Sequence, residues 1–331
     1  MALKVAVNGT GRIGSIVIKI LSTRDDIELV ALNTTSKPEM LEYLLKYDSV
    51  HTGVDAKVID SQNIEINGKN IRMFSDRDPK KVDFGSCGAE VVIECTGVFL
   101  TTAACQDYLH GGVKKVVMSA PAKDDTPTYV YNINTDDYNG EAIISNASCT
   151  TNCLAPICKI LDDEFGIKNG LMTTIHSYTN DQNVLDVKHS KDMRRARAAA
   201  VNMIPTTTGA AKAISLVMPQ LKGKLNGYAM RVPTPDVSVV DLTVNLKKYV
   251  TLEDVNEAMI KASEGSFKGL LEVDFDKRVS SDFIGSTYSA TYVPDMSSVV
   301  DGNTLKVLAW YDNEWGYSSR LVDMVKLVGT K

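Results

Sequence analysis

Gly9, Gly11 and Gly14 form the pattern G-x-G-x-x-G directly after the apolar stretch LKVAVN and at the opening of RIGSIVIKIL. This strand–turn–helix setting constrains the fold more than any other feature of the chain. The first glycine permits the turn, the second lets the backbone approach a pyrophosphate, and the third allows helix and strand to pack closely. Free N–H groups at the helix start then face the anion. An ordinary tight turn accounts for the glycines but not for their setting, so a dinucleotide is the expected cofactor.

The first half continues in the same alternation. LKVAVNG, IELVALN, EVVIECTG, KKVVMSAP and EAIISNAS read as strands, with GRIGSIVIKILST and PEMLEYLLKYD as helices between the early ones, the pattern of a parallel sheet wrapped by helices. NIEINGKNIRMF, with Asn67-Gly68 at its centre, reads as an inserted hairpin. From LMTTIHSYT onward the strands LNGYAMRV, VSVVDLTVNL, STYSATYV and TLKVLAWYD outnumber the helices TLEDVNEAMIKASEG and TGAAKAISLVMPQL. That predicts a mixed, mostly antiparallel sheet with helices on one face. The expected fold is α/β: a Rossmann-type doubly wound dinucleotide-binding domain over residues 1–148 and an α+β catalytic domain over 149–312. The final helix, within 313–331, is expected to pack back onto the first domain.

The 331 residues carry a net charge of −5, which leaves no global positive field to draw the chain onto nucleic acid or an anionic membrane. The longest apolar run, AEVVIECTGVFL, is too short to span a bilayer, and MALKVAVNGTGRIG turns to glycine before a leader's apolar region forms. A cytoplasmic protein is expected. Six cysteines without regular spacing read as reduced thiols rather than a disulfide framework.

Two of those cysteines fall one turn apart in NASCTTNC, where the strand EAIIS gives way to a helix. Cys149 stands at the helix start, where the dipole and unpaired N–H groups favour thiolate and predict a lowered pKa. Cys153 and Cys158, deeper in the same helix, read as buried small hydrophobes. The histidines His51, His110, His176 and His189 are scattered singly, so no metal site is expected. His176, after LMTTI and before SYTNDQN, is the best-placed base for the thiol, against the ordinary reading of a lone structural histidine.

At the end of the second strand a carboxylate that would accept the ribose hydroxyls is missing. Asn33 is followed by Thr34, Thr35, Ser36 and Lys37, groups compatible with a 2′-phosphate. A polar loop that merely caps the helix near Pro38 explains the same residues equally well.

Taken in order, VNGTGRIG, LLKYDSVH, ASCTTNC, HSYTNDQ, RRARAAA, IPTTTGAAKA, LNGYAMRVPTPDVSVVDL and WYDNEWGYS resemble the phosphorylating glyceraldehyde-3-phosphate dehydrogenase family over essentially the whole chain. The resemblance implies that Cys149 attacks an aldehyde to give a thiohemiacetal, with His176 as base, and that inorganic phosphate cleaves the resulting thioester. It implies two anion sites matching Ser148, Thr150, Thr179, Asp181, Arg195, Thr208, Gly209 and Arg231. On the cofactor side it implies Arg12 and Ile13 at the phosphates, with Arg77, Thr96, Gly97 and Ser119 in the nucleotide cleft and Asn313 and Tyr317 at the nicotinamide end. A homotetramer is implied as well. RRARAAA has a rival reading as a nucleic-acid patch, to which nearby acids give little weight.

The chain departs from the family pattern at Thr34, where NAD-specific members carry aspartate, at Thr10 and Ser15 near the glycine loop, and at Lys188, where proline is common. These departures raise the expectation of NADP use alongside or instead of NAD, with Lys188 reaching a neighbouring subunit's cofactor. Rival readings are an erythrose-4-phosphate dehydrogenase, which intact TTTGAAKA and RRARAAA disfavour, and a binding protein that has lost the chemistry.

Overall fold

The computed structural model describes residues 2–190 and 192–331. It comprises two compact units, one reaching Ser148 and including Ser318–Lys331, the other Cys149–Tyr317.

The first unit opens with strand β1 (Leu3–Asn8), helix α1 (Arg12–Ser22), β2 (Ile27–Asn33) and α2 (Pro38–Lys46). Then follow β3 (Ala56–Asp60), β4 (Asn63–Ile66), β5 (Lys69–Phe74), β6 (Val91–Glu94), the single turn α3 (Thr102–Cys105), β7 (Lys115–Met118) and β8 (Ile143–Ser145). The sheet runs β3-β4-β5-β2-β1-β6-β7-β8. Every pairing from β5 through β8 is parallel, whereas β3–β4 and β4–β5 are antiparallel.

The order reverses at β1, with β2 on one side and β6 on the other, which is where doubly wound sheets open a crevice beyond their strand ends. The inserted hairpin turns at Asn67 (φ 48°) and Gly68 (φ 76°), the two positive values that a type I′ turn requires.

Parallel strands covered on both faces read as continuous apolar runs, and Val91–Glu94 is buried throughout. In α1, Val17, Ile18 and Leu21 are fully buried and pack into one core with Val5 and Val7 of β1. The final helix, α7 (Trp315–Thr330), contributes Leu321, Val322, Met324, Val325 and Val328 to the same core.

The second unit begins with α4 (Cys149–Phe165), β9 (Ile167–Ser177), β10 (Ile204–Thr207), α5 (Ala210–Val217), β11 (Leu225–Val232) and β12 (Ser238–Leu246). It continues through α6 (Leu252–Glu264), β13 (Leu271–Val273), β14 (Ala290–Tyr292), β15 (Ser298–Val300) and β16 (Thr304–Tyr311). The sheet order is β10-β11-β9-β12-β16-β14-β13, with β15 on β16. Only β11–β9 and β13–β14 are parallel, so the sheet is mixed and mostly antiparallel.

Along β16 burial alternates, placing Leu305, Val307, Ala309 and Tyr311 on one face. Helix α4 packs on β9, β12, β14 and β16 and touches α5 and α6, so the three helices cover one side of the sheet.

Candidate active site

Cys149 is the first residue of α4, and His176 lies on the central strand β9. Their reacting atoms, Sγ and Nε2, stand 3.5 Å apart. The other ring nitrogen, Nδ1, is 2.7 Å from the Ser177 carbonyl oxygen. With a hydrogen on Nδ1 donating to that oxygen, Nε2 presents its lone pair to the thiol, which is the tautomer a general base needs; the other tautomer, with Nδ1 accepting from Arg231 Nη1 at 2.6 Å, turns Nε2–H toward the sulfur.

Burial, reinforced by the charge of Arg231, lowers the His176 pKa to about 3, so the imidazole rests neutral. Cys149 departs from the sequence expectation. Burial pushes its thiol up from the ordinary value, and Arg231 and Thr150 only partly oppose this. The helix start does favour thiolate, but enclosing the sulfur costs the anion more than those groups return. Both shifts favour the uncharged forms of the pair.

Strand β11 places Arg231 directly beside His176, since the two residues are register partners in the parallel ladder. Its Nη1 lies 2.6 Å from His176 Nδ1 and 3.0 Å from the Ser177 carbonyl. Burial depresses the Arg231 pKa, Cys149 and Tyr311 oppose it, and Arg195 is close enough to add a smaller lowering. Two guanidinium groups that repel each other form a natural seat for an anion.

Asp181 pairs with Arg195 and lies 3.4 Å from His189 Nε2, and these partners outweigh burial in lowering its pKa. It orients Arg195 rather than offering a donor to phosphate. The Thr208 hydroxyl accepts the Ala210 N–H, and Gly209 precedes the first turn of α5 with open space around its Cα. Thr179 and Ser148 are half-buried, each a short step along the chain from His176 or Cys149.

Asn313, the residue expected at the nicotinamide end, is also fixed. Its Oδ1 accepts from the Ser177 and Ser238 hydroxyls at 2.9 and 2.6 Å, which leaves the amide nitrogen as a donor. Tyr317 is buried in the first turn of α7.

In the first unit a cavity of about 530 Å³ opens beyond the ends of β1, β2 and β6, walled by Gly9, Thr10, Gly11, Asn33, Thr34, Arg77 and Thr96 among others. Gly9 has φ 94°, and a Cβ on Gly14 would sit 1.9 Å from the Gly9 carbonyl oxygen. Nothing lies within 4 Å of a Cβ built on Gly11. The three glycines thus act as the sequence pattern predicts: turn, approach and close packing. This cradle fits a dinucleotide pyrophosphate. Ile13 packs on the core beneath it, Gly97 takes φ 68°, and the Ser119 N–H donates to the Glu94 carbonyl.

Residues 3–102 match the family described as "Glyceraldehyde 3-phosphate dehydrogenase, NAD binding domain", and residues 148–313 match its "C-terminal domain". The chain belongs to the glyceraldehyde 3-phosphate dehydrogenase family.

It is 52% identical to a glyceraldehyde-3-phosphate dehydrogenase of Priestia megaterium and 51% identical to glyceraldehyde-3-phosphate dehydrogenase 1 of Bacillus subtilis. Each alignment covers 100% of this chain and 99% of the relative. It is also 51% identical to the chloroplastic glyceraldehyde-3-phosphate dehydrogenase B of Pisum sativum, over 99% of this chain and 74% of that protein.

Several sequence-selected residues have local surroundings that the sequence alone does not show. Arg12 pairs with Asp48 at 3.0 Å, where buried Lys19 also binds at 2.8 Å. The Asn33 side chain bonds Asn8 Oδ1 at 2.7 Å and both backbone groups of Asp76, which aligns the strand ends. Helix α2 has no side-chain cap, so the loop before Pro38 is not explained by capping. Lys188 is exposed and makes no hydrogen bond or ion pair among the described residues.

Two groups escaped the sequence reading. Tyr311 is buried, and its hydroxyl bridges Thr150 at 2.9 Å and Thr174 at 2.8 Å. Glu94, buried under the cavity, holds Asn8, Tyr108 and the Thr96 N–H, and burial raises its pKa. Neither carries a periodicity or spacing signal; only the fold brings their partners together.

Proposed function

We propose that the protein oxidises D-glyceraldehyde 3-phosphate to 1,3-bisphosphoglycerate with NAD(P) and inorganic phosphate, reversibly. The single observation that carries this reading is the Cys149–His176 pair at 3.5 Å with Arg231 beside the ring.

Nε2 of His176 takes the thiol proton as Sγ bonds to the aldehyde carbon and passes it to the carbonyl oxygen, giving a neutral thiohemiacetal and a neutral imidazole again. The same nitrogen accepts the hydroxyl proton as the carbon is oxidised to the thioester. NAD(P), when bound, would supply the hydride acceptor for that step; Gly9, Gly11, Gly14 and the cavity walls would hold its pyrophosphate, and the Asn313 amide nitrogen would donate to its carboxamide. Arg231 and Arg195 hold the sugar phosphate and inorganic phosphate, whose attack on the thioester returns the thiol. Residues 1–148 serve as the dinucleotide domain and 149–312 as the catalytic domain.

NADP is accepted at least as well as NAD, because no carboxylate stands at position 34 to repel a 2′-phosphate. The enzyme works in the cytoplasm, as a homotetramer, and in the gluconeogenic as well as the glycolytic direction. No helix among the described residues is long and apolar enough to cross a membrane.

The test is a spectrophotometric assay with both cofactors and with the triose and tetrose phosphates, in the presence and absence of inorganic phosphate. Phosphate-dependent turnover of the triose phosphate is expected. A preference for erythrose 4-phosphate would favour the alternative dehydrogenase, and absence of turnover would favour a non-catalytic role.

A further inference from the structure

A second cavity, of about 410 Å³, shares Thr34, Thr35 and Ser36 with the dinucleotide cavity and continues on their other side to Lys37, Gln62, Arg72 and Phe74. We propose that this annex is the seat of the 2′-phosphate of NADP, with Arg72 and Lys37 as its cations and Arg72 as the main determinant of cofactor choice. The inference rests on the proposed use of NADP.

Arg72 lies on β5, in parallel register with Ala31 of β2. Two steps further along the same ladder, the Thr34 N–H donates to the Phe74 carbonyl at 3.0 Å. The loop that follows β2 is therefore bound to the strand that carries Arg72. The guanidinium is fixed before any ligand arrives: Nη1 donates to Gln62 Oε1 at 2.5 Å, and Cζ lies 5.7 Å from the Phe74 ring centroid. A planar fork held in this way meets a phosphate with little further ordering.

Neither Arg72 nor Lys37 forms an ion pair among the described residues. Asp60, the acid that feels the Arg72 charge, has its carboxylate engaged by the Gln62 N–H and the Asn63 side chain. Lys37 is exposed at the start of α2, where its side chain caps nothing.

The same geometry removes Thr34 from the list of phosphate ligands. It is 4% exposed, and its hydroxyl is already engaged by the Thr10 hydroxyl at 2.6 Å and the Ser36 N–H at 3.1 Å. Its contribution is to be neutral and to hold the loop, which leaves Thr35 and Ser36 as hydroxyl donors beside the two cations.

The experiment uses the full-length enzyme and two fragments, adenosine 2′,5′-bisphosphate and adenosine 5′-monophosphate, titrated calorimetrically, together with kcat/KM for NADP and NAD. The unmodified protein should bind the bisphosphate at least about 10-fold more tightly than the monophosphate, and Arg72→Gln should remove most of that ratio. Its kcat/KM for NAD should stay within about 2-fold, because NAD has no group to meet the guanidinium.

If the unmodified protein shows no advantage for the bisphosphate, the NADP reading itself falls. If the advantage exists and Arg72→Gln leaves it intact, the phosphate is held elsewhere and this inference alone is overturned. Should Arg72→Gln fail to fold, the exposed substitution Lys37→Gln must still cut the ratio about 3-fold, and an unchanged ratio overturns the inference.

Discussion

Nη1 of Arg231 lies 2.6 Å from Nδ1 of His176, and both nitrogens address the Ser177 carbonyl. When Cys149 gives its proton to Nε2, the ring becomes a cation beside a guanidinium while the sulfur becomes an anion in reach of the same charge. Arg231 therefore favours the thiolate and disfavours the imidazolium.

Replacing Arg231 with Leu should raise the Cys149 pKa further and slow its alkylation by iodoacetamide at fixed neutral pH by about 10-fold, one pKa unit. The Michaelis constants for sugar phosphate and inorganic phosphate should rise as well, while that for the dinucleotide stays put. Peptide mapping should find the label on Cys149 and, in Cys153→Ser, still on Cys149. Alkylation unchanged in Arg231→Leu would show that its charge does not reach the sulfur.

Burial of a neutral His176 has a stability consequence whose sign is fixed. Its folded pKa, about 3, is below the ordinary value of 6.5, so below pH 6.5 the unfolded chain binds a proton that the folded chain refuses. Stability is full above pH 6.5 and falls as pH drops toward 3, by up to on the order of 5 kcal/mol at that one residue. His176→Asn removes this liability. Acid unfolding followed by circular dichroism should show its midpoint shifted to lower pH, even though the variant is inactive. An unmoved midpoint would mean that other groups govern acid unfolding.

The doubly wound half was legible because its signals are local: β-branched runs, glycine spacing and Asn67-Gly68 each act within a few residues. Cys149 at a helix start and His176 on a strand were legible too. Their 3.5 Å separation was not, because it is set by β9 lying under α4, a packing of segments far apart in sequence. The direction of the thiol's pKa shift differs from the sequence expectation for a related reason. A helix start can be recognised from residues 149–153 alone, whereas the enclosure that raises the Cys149 pKa comes from the rest of the fold. Asn33 shows a third limit: that its amide bonds Asn8 and Asp76 is set by the fold and not by its neighbours in sequence.

Tyr311 is a positioning residue. Its hydroxyl spans the hydroxyls of Thr150, one residue from the nucleophile, and Thr174, two residues before the base. Tyr311→Phe leaves two buried hydroxyls without that partner, a cost of about 1–3 kcal/mol. Denaturant unfolding should register that loss. Turnover should fall by about 5- to 10-fold with little change in the Michaelis constants, because the first turn of α4 loses its tether while the anion groups remain. A drop in stability with unaltered turnover would confine Tyr311 to a structural role.

The Thr10–Thr34 hydroxyl contact, 2.6 Å, joins the glycine loop to the end of β2 at two of the positions where this chain departs from the family pattern. An aspartate at 34 would place a carboxylate against the Thr10 hydroxyl and beside the Ser36 N–H, both of which donate to it readily. Thr34→Asp should therefore fold normally and keep, or improve, its use of NAD through the ribose hydroxyls. The same carboxylate would stand against the 2′-phosphate at close range, and kcat/KM for NADP should fall by at least about 10-fold. Because like charges repel less in salt, the loss should shrink as ionic strength rises from about 0.01 to 0.15 M. Thr10→Val in the Thr34→Asp background removes the donor that stabilises the new carboxylate and should lower thermal stability relative to Thr34→Asp alone. Measuring both cofactors across the salt series decides the matter: equal losses for NAD and NADP would mean that the substitution disrupts the loop instead of repelling the phosphate.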